Sequence, residues 1–326
     1  MSPTLVTATR NSQKGLSLIE LMVSIAIGLV VIVAVMSAYL GTADAGKMAD
    51  AQSRMNEDAN AALNVLSQQL RMAGTNPKRA NYMNTTASNP VFTGTAFSVR
   101  GCDGDFGNIA SPLDPAALTC AGTVSALPDS IAVTYEADDF NTVPITTAPA
   151  AGKGKGTDCL GSSLSIVTST VDVWNGAASI PTLVTYTVAN NLFYIKTTST
   201  ITAPSLYCLG NGNAGDQPLV ENVEDLQLTY GTAKVGVTSM DVVGYLLAQE
   251  ITSNATLAAL PTDVDRWAKV VTVRVCVVVR SEKQVAPTAA SARYTKCDGT
   301  LNNTPPDLRL RRAYYTTVVL RNRLSF

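Results

Sequence analysis

Glu20 is the side chain with the sharpest chemistry in this sequence. It stands at the mouth of a run, Leu21 to Gly41, that holds no charge and whose polar members are Ser24, Ser37, Tyr39 and the glycines. A carboxylate at the edge of an apolar span is expensive unless something pairs it. The chemistry Glu20 suits is therefore charge pairing in an apolar setting. Six cysteines offer a second chemistry: Cys102, Cys120, Cys159, Cys208, Cys276 and Cys297, all downstream of that run. An even count on an oxidising side of a membrane favours disulfides. Fifteen pairings are open, and the sequential one is the simplest. What is missing excludes more. The chain has no histidine, so it has no Ser-His-Asp triad, no Cys-His pair and no histidine metal site. No C-x2-C pair and no G-x-S-x-G elbow occur either. Asp103-Gly104-Asp105 opens like a calcium loop but lacks the third acid and the distal glutamate. Gly152-Lys153-Gly154-Lys155-Gly156-Thr157 hints at a phosphate loop, yet Pro149 stands where that loop needs glycine. The expectation is a protein with no metal site, no cofactor and no enzymatic activity.

A long helix must position Glu20. About 20 apolar residues suffice to span a bilayer as a helix, and Leu21 to Gly41 meets that length. Arg10 and Lys14 precede the run, and Asp44 and Asp50 follow it. This asymmetry puts the N-terminus in the cytoplasm and the remainder in the periplasm or outside. The run is too long for the apolar core of a secretory signal peptide. Beyond it, Met55, Ala59, Ala62, Leu63, Leu66 and Leu70 recur at three- and four-residue steps and mark one apolar helix face. Gly74-Thr75-Asn76-Pro77 stops the helix. Leu16 to Met72 would measure roughly 85 Å at the α-helical rise. Gly28, Gly41 and Gly46 are soft points or sites of close helix packing.

The cysteines must be held by a β-rich region. From Asn81 onward the sequence is rich in Thr, Ser and Asn, with β-branched runs between turn signals. The expected strands are Ser130–Glu136, Leu164–Thr168, Thr182–Val188, Leu192–Thr198, Leu226–Tyr230, Lys269–Arg280 and Tyr314–Arg321. Ala189-Asn190-Asn191 reads as a hairpin turn, Met240 to Ile251 as a short helix, and Thr142–Thr157 as an exposed loop. Val270 to Val279 reads as a central strand buried on both faces. The 326 residues carry 24 Lys+Arg against 25 Asp+Glu and are only 15% charged, which argues against a globally basic nucleic-acid binder. Arg293, Lys296, Arg309, Arg311, Arg312, Arg321 and Arg323 do cluster near the C-terminus against Asp298 and Asp307. That patch is read as a solvated, partly salt-bridged edge or a subunit contact rather than a DNA surface.

Two segments carry a family resemblance. Lys14-Gly15-Leu16-Ser17-Leu18-Ile19-Glu20-Leu21-Met22-Val23 resembles the class III signal of type IV prepilins. The segments Leu219 to Gly231, Trp267 with Val270 to Ser281, and Arg312 to Asn322 resemble the PilW family of large minor pilins. The resemblance implies an α+β, type IV pilin-like fold: a long N-terminal hydrophobic helix packed on a mostly antiparallel β-sheet head with a large inserted loop/strand region. It implies a leader over residues 1–15, a long helix over 16–76 with 16–41 in the membrane or filament core, and a head over 77–326. A prepilin peptidase would cut between Gly15 and Leu16, and Leu16 would be N-methylated. Losing Arg10 and Lys14 with the leader takes the net charge from −1 to −3. Glu20 would meet the new N-terminal ammonium of a neighbouring subunit, a pairing that sets register more than it adds stability. The implied function is priming of a type IV pilus and incorporation at or near its tip. The implied partners are other minor pilins, the major pilin, a tip-associated adhesin-like protein and the inner-membrane assembly platform. The alternatives are a J-type minor pseudopilin of a type II secretion system and a tip adhesin or DNA-binding module.

Overall fold

The computed structural model describes residues 15, 17–75, 97–109, 113–122, 127–147, 149–174, 177–212, 215–236 and 240–323. The chain divides into two compact units, residues 1–50 and 51–326. Helix α1, Leu18–Met72, begins in the first and ends in the second. In the first unit the apolar residues of α1 are exposed, from Leu18 through Leu40. In the second unit Met55, Ala59, Ala62, Leu66 and Leu70 are buried, the face marked by the sequence periodicity. Gly74 ends the helix with φ +74°, a left-handed conformation that glycine adopts without a Cβ penalty. Its N–H then donates to the Thr134 carbonyl at 2.9 Å, so the chain leaves the helix already tied to a strand.

A seven-stranded antiparallel sheet follows. Its strands are β1 Val99–Cys102, β2 Ser130–Ala137, β3 Lys153–Thr157, β4 Ser163–Trp174, β5 Ser179–Lys196, β6 Ser205–Gly210 and β7 Asp216–Glu221. They run in the order β1-β2-β5-β4-β3, with β6 on β5 and β7 on β6. Strand β5 is the organiser. Its first half pairs with β4 from Ser179 to Thr187, and its second half pairs with β2 and with β6. The second sheet is built from β8 Val223–Ala233, β9 Val242–Leu246, β10 Val270–Gln284 and β13 Arg309–Val319. Helices α2 Ala248–Ser253 and α3 Asp263–Trp267 connect β9 to β10, and a short ladder of β11 Tyr294–Thr295 with β12 Leu301–Asn302 precedes β13. The order is β13-β10-β8-β9, which puts the valine-rich β10 inside the sheet. Val273, Val275, Val277 and Val279 are buried in the core shared with α1, and on the opposite face Arg274 lies 3.5 Å above the Tyr245 ring. The architecture is α+β and pilin-like, a long apolar N-terminal helix with antiparallel sheets.

Three local expectations are corrected. Ala189-Asn190-Asn191 is not a hairpin turn but the middle of the continuous β5. The two asparagines spend their side chains on neighbours instead of bending their own backbone: Asn190 donates to the Leu113 carbonyl, and the buried Asn191 donates to Gln69 and Tyr135. Met240 to Ile251 splits into strand β9 and the six-residue α2, because pairing with β8 from Val242 to Leu246 claims the first half. The stretch Thr142–Thr157 is not wholly loop: Lys153–Thr157 forms β3 beside β4.

Candidate assembly site

The N-terminal site is built on the first turn of α1. Ser17 precedes the helix and its Oγ accepts the Glu20 N–H at 3.3 Å, while its carbonyl accepts the Leu21 N–H at 3.2 Å. Ser17-Leu18-Ile19-Glu20 thus has the S-x-x-E spacing of a capping box, a helix-start signal that the sequence reading passed over. It places the Glu20 carboxylate on the positive end of the helix dipole. Downstream, Ser24 Oγ donates to the Glu20 carbonyl at 2.7 Å and Thr42 Oγ1 to the Ala38 and Tyr39 carbonyls, so both hydroxyls are absorbed by the helix itself. Gly15 is exposed; Leu16 lies outside the described residues. The helix has the length and composition to cross a membrane, with none of its most apolar window buried inside the chain. That surface is left for lipid or for other helices.

The second half of α1 is fixed to the head by polar contacts as well as by its apolar face. Gln69 Oε1 accepts from Tyr135 Oη at 3.1 Å and from Asn191 Nδ2 at 2.8 Å, joining helix, β2 and β5. Burial is the main reason the Tyr135 phenol is pushed up to about 12. Tyr314 Oη on β13 donates to Asn56 Oδ1 at 2.7 Å. Asn322 Nδ2 donates to the Arg71 carbonyl at 2.9 Å and to Thr75 Oγ1 at 2.7 Å, covering carbonyls at the helix C-terminus that have no intrahelical donor. Residues as far apart as Asn56 and Asn322 therefore define one frame, which sequence spacing alone cannot show.

The cysteines form three disulfides: Cys102–Cys120, Cys159–Cys208 and Cys276–Cys297. The first staples β1 to the segment beyond it, the second ties the β3–β4 connection to β6, and the third ties β10 to the loop after β11. The calcium-like Asp103 does something else. Both of its oxygens accept backbone N–H groups, from Ala248 and Gln249 at 2.9 Å each, so it caps α2 from just beyond β1, far away in sequence. Asp129 likewise accepts from Leu228 N–H at 2.7 Å and Gly104 N–H at 3.2 Å. Among the described residues no cluster of three or more His, Cys, Asp or Glu is arranged to hold a metal.

The C-terminal cations are partly spent in ion pairs. Arg311, nearly buried, pairs with Glu224 and Asp307, and Arg309 pairs with Asp307. Although desolvation opposes it, hydrogen bonds from Arg311 and Arg309 hold the Asp307 carboxyl well below the usual range. Arg312 stacks against Tyr314. The phosphate-loop hint at Gly152–Thr157 falls largely in β3, and Lys155 there pairs with Asp139.

The elements are pilin-like: an exposed apolar helix segment with a single acid in its first turn, and a disulfide-stapled sheet region. Residues 10–36 match the family model described as the prokaryotic N-terminal methylation motif. Residues 192–322, from the second half of β5 to beyond β13, match the family model PilW, described as type IV pilus-assembly protein W. The two matches support a type IV pilus minor pilin of the PilW family. No curated protein and no solved structure matches the chain. A pilin family points to a structural role and to partners within the pilus system, with membrane anchoring through the N-terminal helix.

Proposed function

We infer that this protein primes assembly of a type IV pilus and is incorporated at or near its tip. The observation that carries the reading is Glu20, the one acid on an otherwise charge-free exposed helix surface from Leu18 to Thr42. An isolated carboxylate there is costly, and a complementary ammonium from a neighbouring subunit offsets that cost. Prepilin peptidase cleavage between Gly15 and Leu16, with N-methylation of Leu16, supplies that ammonium. The precursor is held single-pass in the inner membrane, residues 16–41 spanning it, the leader cytoplasmic and the head periplasmic. Helices of several minor pilins then bundle on the assembly platform and start a filament that the major pilin extends. The large head, with a seven-stranded sheet added to the four-stranded one, suits a terminal place, where lateral packing is least demanding, beside an adhesin-like tip protein.

Mass spectrometry of the mature protein tests the processing step; methyl-leucine as first residue is expected, and an intact Met1 refutes it. A Glu20→Ala strain should retain the protein in the membrane and lose most surface pili. Gold labelling should mark filament ends, whereas uniform labelling along shafts would refute the tip placement.

A further inference from the structure

We propose that the groove between the second half of α1 and the outer edge of β13 is a docking site for an extended peptide strand from a partner polypeptide, with a carboxylate at the end nearest Arg71. The groove encloses about 780 Å³ and is lined mainly by the helix, with Asn60, Asn64, Gln68 and Arg71 among its residues, and by Tyr315 and Thr316 from the strand, with Asn141 of the segment after β2 also reaching it. Its two walls run side by side. Tyr314 touches Asn56 at one end, and Asn322 touches Arg71 at the other. From Asn56 to Arg71 the helix advances about 22 Å, alongside the last residues of β13 and the turn that follows it.

The strand wall has unpaired backbone. Among the described residues β13 is the edge of its sheet and pairs with β10 alone. Leu320 N–H donates to Val271 at 2.9 Å, and the antiparallel ladder alternates, so residues 318, 316 and 314 face β10. Tyr315, Thr317 and Val319 therefore turn their N–H and C=O groups outward, and these have no partner among the described residues. An open edge is a template for another strand.

The helix wall carries a matching ladder. Asn56, Asn60, Asn64 and Gln68 follow one another at four-residue steps. Asn56 is engaged by Tyr314; Asn60, Asn64 and Gln68 are exposed, with no side-chain partner among the described residues. Four helical residues advance about 6 Å, and two residues of an extended chain advance about 6.7 Å. Successive amides thus meet every second peptide unit of a strand lying in the groove, each offering a donor and an acceptor. Such contacts read the backbone and not the side chains. Arg71, exposed at the C-terminal end of the helix, supplies the one charge, which selects an acid on the incoming strand. A nucleic acid would meet a single cation here.

The test uses the full-length protein in detergent micelles and one probe, an N-acetylated, C-amidated peptide of glutamate followed by alternating threonine and valine, seven residues in all. Hydrogen exchange at the Tyr315, Thr317 and Val319 amides should slow at least tenfold on binding, while exchange along β9 stays unchanged. Asn60→Ala and Asn64→Ala should each weaken binding about fivefold, and replacing the peptide glutamate by glutamine should weaken it and flatten its salt dependence. Thr317→Pro removes an outward N–H without touching the β10 ladder and should abolish binding. A peptide N-methylated at alternate residues makes the same test with the protein unaltered. Equal affinity for the N-methylated peptide, binding without protection of β13, or no binding at millimolar peptide would each overturn the proposal.

Discussion

The two sheets of the head are held by different means. The four-stranded sheet packs on α1 through a continuous apolar layer. Seven of the ten residues from Val270 to Val279 are valine, and β8 contributes Leu226, Leu228 and Tyr230, all buried. The seven-stranded sheet joins the same core through Ile131, Val133, Phe193 and Leu206, but part of it lies outside that layer. Its outer face carries a small separate cluster around Phe106, Leu113, Leu118 and Leu192. Beyond Ile166 the β4–β5 hairpin has no third strand among the described residues until β2 begins at Thr187, and those whose side chains are described are exposed up to Thr185 apart from the half-buried Val184. Two of the three disulfides sit in this sheet. Where part of a sheet lies outside the apolar layer, covalent closure supplements burial. The family match follows the same line: it spans the whole four-stranded sheet but only from residue 192 onward in the other.

The largest break in this comparison should come from the Cys159–Cys208 bond. It closes a loop with a sequence separation of 49, for which loop entropy gives about 4 kcal/mol. Replacing both cysteines by serine should lower the denaturant midpoint of the detergent-solubilised protein more than the same change at Cys276 and Cys297, whose separation is 21. The reverse ranking would show that the four-stranded sheet also depends on its staple. Next in size is Leu66→Ala. This side chain is fully buried where α1 meets the core, and the cavity should cost about 3 kcal/mol. Denaturant unfolding measures it, and a loss below 1 kcal/mol would mean that the helix does not anchor the head.

What the sequence disclosed divides along the same boundary. The helix face from Met55 to Leu70 and the buried strand from Val270 repeat with the periods of their elements, so local pattern and tertiary role agree. Glu20 is conspicuous because it interrupts an apolar run. In the seven-stranded sheet the local signals mislead. Asn190 and Asn191 look like a turn until Gln69, Tyr135 and Leu113, remote in sequence, are seen to take their amides. Asp103 looks like a calcium ligand until α2 arrives to be capped. The amide ladder on α1 was readable as spacing, but its meaning depends on β13, which lies about 250 residues away and is brought alongside by Tyr314.

A smaller effect of opposite sign is expected at Tyr230. Its hydroxyl is fully buried without a hydrogen-bond partner among the described residues and stands over Gly101, where a Cβ would lie within bonding range of it. Tyr230→Phe removes an unsatisfied group and should stabilise by about 1 kcal/mol, whereas Gly101→Ala should destabilise by about 2 kcal/mol through overpacking. Thermal unfolding of the two variants reads both signs, and destabilisation by Tyr230→Phe would reveal a partner for the hydroxyl.

A pH effect should follow from Asp129. Burial, assisted by the nearby Asp103 charge, outweighs the two backbone N–H bonds and raises its carboxyl from an ordinary 3.8 to about 7. The folded state therefore holds a proton that the unfolded state has lost between those values. Its contribution is fully present below about pH 4 and fades as pH rises through 7. Asp129→Asn should flatten this part of the stability profile, measured as unfolding midpoints from pH 5 to 8, and an unchanged slope would assign the dependence to other groups.

The smallest effect is expected on the exposed ribbon. Leu183 is 68% exposed on β5, beyond the reach of β2, so Leu183→Ser deletes an apolar side chain that buries little in the isolated protein. Surface changes of this kind stay within about 0.5 kcal/mol, and the unfolding midpoint should hardly move. Between Asp158 and Lys196 the sequence has one charged residue, Asp172, so nothing on this ribbon repels a neutral neighbour. A midpoint loss comparable to that of Leu66→Ala would show that the ribbon is buried within the molecule itself and would erase the contrast between the two sheets. An unchanged midpoint leaves the exposed leucine without a folding role, the condition under which its apolar surface is free to be covered on assembly.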